Sequence, residues 1–379
     1  MNLKTDVAVV GGGPCGAVAA RVAAESGANV LLIDDNPFKR SVQCTGLLSR
    51  RALLEAGVSD DVVLREIKGA FIHSSNFKVM IGGRRTEAFV IQRDSFDCHL
   101  LDKAISRGIE VIETKALGLK ENRLLTSDFC IEAKVIIGAD GPKSNVAKWA
   151  GLPTPQKYLH GVQVTTPYRS EREDFVEVFL SKDIVPDFFA WAVPAGEGMA
   201  RIGLATANRD EAPRLLKKFL RRLGVDLNLK ITKGVIPIGP PARTVAGRVM
   251  IVGDAAGQAK PTSGGGIYTG IFCAKIAGEV AAKCALGDTN PLEYEIRWRK
   301  ALGRELGFGM KAHNIFCKLS DNTIDKILSL LCDPAVQKII VEHGDIDYPS
   351  ILVKKLAKVP RFWSKLVEIV PSSFIDFLI

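Results

Sequence analysis

An α/β architecture is predicted by three features of this 379-residue sequence. A β-branched run, a glycine cluster, an Ala-rich helical stretch and a second apolar run follow one another before Asp35. Residues 158–238 are dominated by alternating polar and apolar positions, and residues 291–379 are mostly helical in pattern. Together they predict a parallel-sheet domain assembled from 1–157 and 239–290, a β-sheet domain at 158–238 inserted into it, and a helical C-terminal region at 291–379.

The elements follow in chain order. Asp6–Val10 (DVAVV) is short and β-branched, the composition of a strand buried on both faces. Ala17–Ser26 is Ala-rich and helical, and Gly27 ends it. Asn29–Ile33 (NVLLI) is a second buried strand, closed by Asp34 and Asp35, which completes a βαβ unit. Pro37–Ser49 is a loop and Arg50 to about Ala56 a helix. Ala70–Ile91 alternates and contains Gly82-Gly83, so a β-hairpin is expected there as a small insertion in the first domain. Asp94–Arg107 is a helix, and Ile109–Ile112 and Val135–Ile137 are strands. In the inserted domain Gly161–Thr166, Phe175–Leu180, Phe189–Val193 and Ala200–Ala205 are strands, interrupted by one helix, Asp210–Leu223. Val249–Val252 returns to the buried-strand pattern, followed by a Gly-rich loop and a helix over Ile267–Ala285.

Composition narrows the class. Hydrophobic residues make up 47% and charged residues 25%, so the chain can bury a sizeable core. The net charge of +9 suits an anionic ligand or an anionic membrane. No nucleic-acid module is visible, and no nucleic-acid partner is expected. The eight cysteines form no C-x-x-C pair, so no metal site is expected, and their scatter suits reduced thiols in a cytosolic protein. No signal peptide is read at the N-terminus, and no window offers about 18 uninterrupted apolar residues. A cytoplasmic protein is expected, with peripheral contact at the inner face of the membrane left open.

The glycine cluster carries the first chemistry. Gly11, Gly13 and Gly16 fit G-x-G-x-x-G between a strand and a helix. The first glycine permits the tight turn, the second lets backbone approach a pyrophosphate, and the third lets helix and strand pack closely. The helix N-terminus offers unpaired N–H groups to phosphate. Asp34 lies 23 residues after Gly11, near the roughly 20 at which a carboxylate accepts ribose hydroxyls. The pattern predicts a Rossmann-type dinucleotide site, with a helix N-terminal loop that holds no ligand as the alternative, and the motif alone leaves NAD and FAD open.

Two later motifs choose between them. Ile136-Ile137-Gly138-Ala139-Asp140-Gly141 is a strand running into an Asp-Gly turn, with Ser144 beyond. Arg248–Val252 runs into Gly253-Asp254, followed by Pro261 and Gly264-Gly265-Gly266-Ile267. These resemble the DG and GD motifs of the FAD-dependent hydroxylase and reductase superfamily, and Arg93 in Gln92-Arg93-Asp94-Ser95-Phe96-Asp97 resembles its FAD-contacting arginine. The resemblance implies FAD. It places Asp254 at the ribityl–pyrophosphate region and the loop Pro261–Ile267 against pyrophosphate and flavin. Cys15, Ala116 and Asp140 complete the implied cofactor contacts.

Within that superfamily, Asp254–Ile267 is similar to the geranylgeranyl reductase family, which includes archaeal digeranylgeranylglycerophospholipid reductases. Pro186-x-x-Phe189-x-Trp191-x-Val193-Pro194 resembles the family's P-x-x-Y-x-W-x-F-P tunnel motif, with Phe for Tyr and Val for Phe. Gln43-Cys44-Thr45-Gly46 resembles its Cys-Gly loop beside the flavin, with Thr45 as an extra residue. The resemblance covers roughly residues 1 to 290. It implies a reductase that saturates C=C bonds of prenyl chains, with Cys44 and Gly46 at the flavin, Cys44 as the candidate acid, and Phe188, Phe189, Trp191 and Pro194 on the prenyl side. For Phe188, Phe189 and Trp191 plain core packing is the alternative, and for Cys44 the role of a small buried hydrophobe is.

Two other functions stay open. Trp191-Ala192-Val193-Pro194 is also similar to the halogenase W-x-W-x-I-P motif, although residue 189 is Phe, so a flavin monooxygenase or halogenase shares the pattern. A non-catalytic prenyl-lipid binder keeping FAD as structure is the third. The electron donor is open between ferredoxin and NAD(P)H, since no second complete dinucleotide motif is present. Residues Ile351–Phe377 mix Lys354, Lys355, Lys358, Arg361 and Lys365 with Leu356, Phe362, Trp363 and Leu366. That mixture suits either an interfacial helix on anionic lipid or a helix packed on the domain with its basic face in water.

Overall fold

The computed structural model describes residues 2–38 and 42–369. The first strand, β1 (Asn2–Val10), places fully buried Val7, Ala8 and Val9 in the middle of a sheet. The helix α1 (Pro14–Glu25) follows, then β2 (Val30–Asp34), paired parallel to β1 from Val7↔Val30 to Val10↔Ile33. On one side of this pair lies Glu110–Glu113. On the other lie Cys130–Gly138 and Val249–Ile251, all parallel. Ala116–Lys120 and Arg123–Thr126 add an antiparallel ribbon, two short strands of five and four residues, the second of which buries Leu124. Small side chains bring the covering helices close. Ala17, Ala19, Ala20 and Ala23 of α1 are fully buried, and a Cβ on Gly278 of the helix Ile267–Leu286 would stand 2.4 Å from the Ala19 carbonyl oxygen.

The second sheet has seven strands, in the order Thr232–Ile238, Lys157–Pro167, Met199–Thr206, Ala190–Gly196, Phe175–Phe179, Gly69–His73 and Lys78–Gly82. The helix Ala212–Arg222 covers its outer face with Leu215, Leu216, Phe219 and Leu220. The expected hairpin over Ala70–Ile91 is therefore corrected. Its turn is at Ser74–Phe77, where the Ser74 N–H donates to the Phe77 carbonyl at 2.8 Å. Its two strands extend the second sheet through a parallel pairing of Gly69–His73 with Phe175–Phe179. Ala88–Ile91 belongs instead to a three-stranded sheet with Leu47–Ser49 and Val63–Ile67. The physical reason lies in Gly82 and Gly83. Both have positive φ, and a Cβ on them would meet the Lys68 carbonyl oxygen at 2.6 Å and the Phe175 ring at 3.2 Å. These glycines admit a close approach rather than making a hairpin turn.

Beyond Pro291 the described chain is helical, with α-helices at Leu292–Trp298, Arg304–Phe316, Asp321–Leu330, Pro334–His343, Pro349–Leu356 and Pro360–Ile369. Asp325 ties this region to the hairpin turn by accepting from Asn76 Nδ2 at 2.9 Å and from the Ser74 hydroxyl. In the basic–aromatic segment Phe362 and Leu366 are buried in a cluster with Leu330, Val336, Ile340 and Leu356, and Trp363 packs against it. Lys354, Lys355, Lys358, Arg361 and Lys365 are exposed. The aromatic side is thus packed on the protein and the basic side faces water. The end of that segment, 370–377, lies outside the described residues. Among the described residues no helix is long and apolar enough to cross a membrane.

Candidate functional site

A cavity of about 960 Å³ runs from the carboxyl ends of β1 and β2 to the inner face of the second sheet. That edge is where open parallel sheets take their ligands. Two smaller depressions, about 600 and 340 Å³, lie elsewhere, around Arg248 at the amino end of Val249–Ile251.

The glycine loop forms one end of the cavity. Gly11 has φ +101°, and a Cβ there would stand 2.4 Å from the Ala139 carbonyl oxygen. A Cβ on Gly16 would stand 1.7 Å from the Gly11 carbonyl oxygen. Gly13 is the N-cap of α1 and lines the cavity with Pro14 at the first helical position. Asp34 is 8% exposed; its Oδ2 accepts from the Gly12 N–H at 2.6 Å and its Oδ1 from the Asn36 N–H at 2.8 Å. The carboxylate thus ties the loop to the end of β2 while lining the cavity beside Ala116. Asp140 accepts from the Ser144 hydroxyl at 2.6 Å and from the Asn145 and Val146 N–H groups at 2.7 and 3.1 Å, which orients the short helix Asn145–Trp149. Cys15 Sγ fills space left by Gly253 and Gly270, where a Cβ would meet the sulfur at 2.6 Å. Burial pushes this thiol well above its ordinary range.

The middle of the cavity carries the second motif. Burial pushes the Asp254 carboxyl up to about 6, against the opposing pull of Arg93. Beside it the chain turns tightly, with the Gly264 N–H donating to the Lys260 carbonyl at 2.8 Å and the Lys260 N–H to the Gly265 carbonyl at 3.0 Å. Gly264, Gly265, Gly266 and Ile267 line the cavity, and the helix Ile267–Leu286 begins there with Gly266 as its N-cap and no side-chain cap. Arg93 forms a two-pronged pair with Asp97, 3.1 Å on each prong. Burial alone would pull this guanidinium down, but the Cys44 sulfur and the Asp97 carboxylate outweigh it and hold it above its ordinary value.

Cys44 lines the cavity, and its Sγ accepts from the Gly46 N–H at 3.3 Å. Thr45 is accommodated by a turn in which Gly46 has φ +70° and leaves room for Arg201, whose Nη1 would stand 2.4 Å from a Cβ. Arg201 Nη1 donates to the Thr45 carbonyl at 2.6 Å and the Ile91 carbonyl at 3.0 Å. Gln163 Nε2 donates to the Cys44 carbonyl at 3.4 Å, and Gln43 Nε2 to the Gly161 and Thr232 carbonyls at 3.0 Å each. The other end of the cavity is apolar. Phe188 and Phe189 stack with centroids 4.1 Å apart, and Trp191 meets Phe189 edge-on at 6.0 Å. Val176, Val178, Val193 and Ile236 join them.

Of the expected site residues, the structure gathers Gly11, Gly13, Cys15, Asp34, Cys44, Arg93, Ala116, Asp140, Asp254, Gly264, Gly265, Gly266, Ile267, Phe188, Phe189 and Trp191 on one wall system. Gly16, Gly46, Pro194 and Pro261 stand outside the lining. Gly16 and Gly46 are packing glycines, Pro194 lies in the strand opposite Ala200, and Pro261 is held against Gly309. Reading the sequence missed Gln163, Arg201, Lys260 and Asp347. Lys260 and Asp347 line the cavity as a buried ion pair at 2.6 Å. The available signals were a lysine inside a run of small residues and a glutamine inside a β-branched strand.

Comparison with known proteins places this geometry. The family model described as lycopene cyclase protein matches residues 6–333. A digeranylgeranylglycerophospholipid reductase of Methanothrix thermoacetophila is 32% identical over 89% of this chain and 93% of its own length. An uncharacterised protein of Methanocaldococcus jannaschii is 32% identical over 93% of this chain and 95% of its own. A solved structure from Thermoplasma acidophilum, described as geranylgeranyl bacteriochlorophyll reductase-like, superimposes with TM-score 0.84 at 27% identity, covering 98% and 100% of the two chains. A flavin-dependent brominase, at TM-score 0.74 and 15% identity, shares the fold.

Proposed function

The chain belongs to the digeranylgeranylglycerophospholipid reductases within the family that the lycopene cyclase model describes, and on that premise we propose that it is an FAD-dependent reductase saturating C=C bonds of geranylgeranyl chains in membrane ether-lipid synthesis. The observation that carries this reading is the continuity of one cavity, from a glycine loop shaped for a dinucleotide to an aromatic wall shaped for hydrocarbon.

The residues present fit FAD. Gly11 and Gly16 have no space for a Cβ and hold the loop tightly packed, so that Gly13, at the N-cap of α1 on the cavity wall, would face a pyrophosphate. Asp34 and Ala116 would take the adenosine end, and Asp140, Asp254 and Gly264–Ile267 the ribityl and ring end. Bound and reduced, FAD supplies a hydride for one carbon of the double bond. The chain's own residues do the rest. Phe188, Phe189 and Trp191 orient the prenyl chain and keep water out. The second hydrogen arrives as a proton, and Cys44 Sγ is the acid at the junction of the two ends of the cavity. The exposed lysines of the C-terminal helices would meet anionic lipid headgroups from the outside.

Anaerobic reoxidation tests the reading. The protein is chemically reduced without oxygen, a geranylgeranylated lipid is added, and flavin absorbance is followed with product mass. Reoxidation with a gain of two hydrogens per reduced bond is expected. Failure of the lipid to reoxidise the flavin, with a rapid oxygen reaction on another small molecule, would replace the reading with a monooxygenase. Undiminished turnover by Cys44→Ala would remove Cys44 as the acid.

A further inference from the structure

A single row of residues crosses the second sheet at the point where the two ends of the cavity meet. It runs Trp191, Gly203, Gln163, Thr232, each directly opposite the next on four adjacent strands. Val162 and Val164 belong to the core beneath the sheet, so Gln163, between them, faces the cavity. It is 5% exposed.

We infer that Gln163 is a positioning residue that fixes the Trp191 indole and the Cys44 loop relative to each other, so that the prenyl wall and the cofactor-side loop hold one register. The inference deepens the reductase reading and takes from it the roles of Trp191 and Cys44. Its geometry stands by itself. Trp191 Nε1 donates to Gln163 Oε1 at 3.2 Å, and Gln163 Nε2 donates to the Cys44 carbonyl at 3.4 Å. An indole can only donate and a carbonyl can only accept, so the residue between them must do both, and a neutral amide does. Glutamate could serve the indole alone, and leucine neither.

The rest of the row is built around this contact. A Cβ on Gly203 would stand 2.7 Å from the Trp191 ring, so only glycine lets the indole lie across that strand to reach Gln163. Thr232 Oγ1 donates to the Gln163 carbonyl at 3.1 Å and anchors its backbone. Gln43 and Arg201 pin the flanks of the Cys44 turn to the same sheet and its neighbour. With its flanks held, the Cys44 carbonyl is the point at which a shift of the indole would be felt.

The test uses the FAD-loaded protein and reads no turnover. The rate of Cys44 alkylation by iodoacetamide is measured by mass spectrometry of its peptide. Trp191 emission is taken as the difference from the Trp191→Phe protein. Gln163→Leu is expected to shift Trp191 emission and change Cys44 alkylation at least threefold. Gln163→Glu is expected to keep the emission and still change the alkylation. Gly203→Ala leaves the Gln163 and Cys44 side chains unaltered; its Cβ would press on the Trp191 ring at 2.7 Å and on the Val162 carbonyl oxygen at 2.6 Å, and by displacing the indole it is expected to change alkylation in the same direction. It also decides the matter should Gln163→Leu fail to fold. A change in alkylation of less than threefold from wild type (about 0.6 kcal/mol) in Gln163→Leu or, where that protein fails to fold, in Gly203→Ala, overturns the inference. A failure of lipid to reoxidise the flavin would sink the reductase reading and leave these rates as they are.

Discussion

Replacing Asp347 with asparagine removes one charge from the most buried ion pair on the cavity wall. The Asp347 side chain is 1% exposed and the Lys260 side chain 11%. Lys260 Nζ donates to Asp347 Oδ1 at 2.6 Å and to the Ile346 carbonyl at 2.9 Å, and Ser49 Oγ donates to Asp347 Oδ2 at 2.5 Å. Arg51 stands 3.7 Å from the same carboxylate and is 42% exposed. Asparagine keeps the shape but leaves the Lys260 ammonium buried without a counter-charge, an arrangement that costs about 3–5 kcal/mol. Arg51 can turn to water and to Asp345, so Lys260 carries most of that cost. Lys260→Met alone should cost less, because Asp347 keeps Ser49 and Arg51. The double variant Lys260→Met with Asp347→Leu should recover most of the loss, since an apolar pair of similar volume often matches a buried ion pair. Urea unfolding at one fixed FAD concentration supplies the cycle. An Asp347→Asn protein within about 1 kcal/mol of wild type, or a double variant as unstable as the single one, would refute the reasoning.

Gly11→Ala should fold yet purify colourless, because its Cβ must displace the Ala139 carbonyl; the ratio of flavin to protein absorbance reads this. Asp254 gives a pH dependence. Its carboxyl is raised from 3.8 to about 6 by burial, so the folded chain holds that proton more tightly than the unfolded chain. Stability of the FAD-free protein should therefore be full below pH 4 or so and fall as pH rises through about 6, by up to about 3 kcal/mol. Asp254→Asn should flatten that slope in urea midpoints taken across the window, and an unchanged slope would assign it to other groups. Reversing Lys354, Lys355, Lys358, Arg361 and Lys365 to glutamate should leave the buried face of Phe362 and Leu366 intact and abolish flotation with anionic vesicles, at roughly 1 kcal/mol per lysine; equal flotation would dismiss the membrane contact.

The parts legible in the sequence are those whose cause is local. The β1–α1–β2 unit is written in a β-branched run, three spaced glycines and an aspartate, and each needs only its own neighbours to be read. The partner of a strand is another matter. Gly69–His73 alternates like any hairpin strand, and nothing in its own residues says that Phe175–Phe179 lies beside it. The site divides the same way. Asp254 and Gly264–Gly266 are found by motif, whereas Lys260 gains its meaning from Asp347, 87 residues away, and Gln163 from Cys44, 119 residues away. Thr45 is an extra residue between Cys44 and Gly46, and it is absorbed because Gly46 takes a left-handed conformation.

The parallel pairing of Gly69–His73 with Phe175–Phe179 has a consequence for modularity. The segment from Lys157 to Ile238 supplies five strands of its sheet and borrows the other two, Gly69–His73 and Lys78–Gly82, from the amino-terminal part of the chain. It cannot be excised and grafted onto another scaffold as a cassette, because the cut would strip two strands from one edge and leave a fresh row of unpaired backbone groups. Substrate preference is better altered by point changes on the cavity wall, at positions such as Phe189 and Val193, than by swapping the sheet.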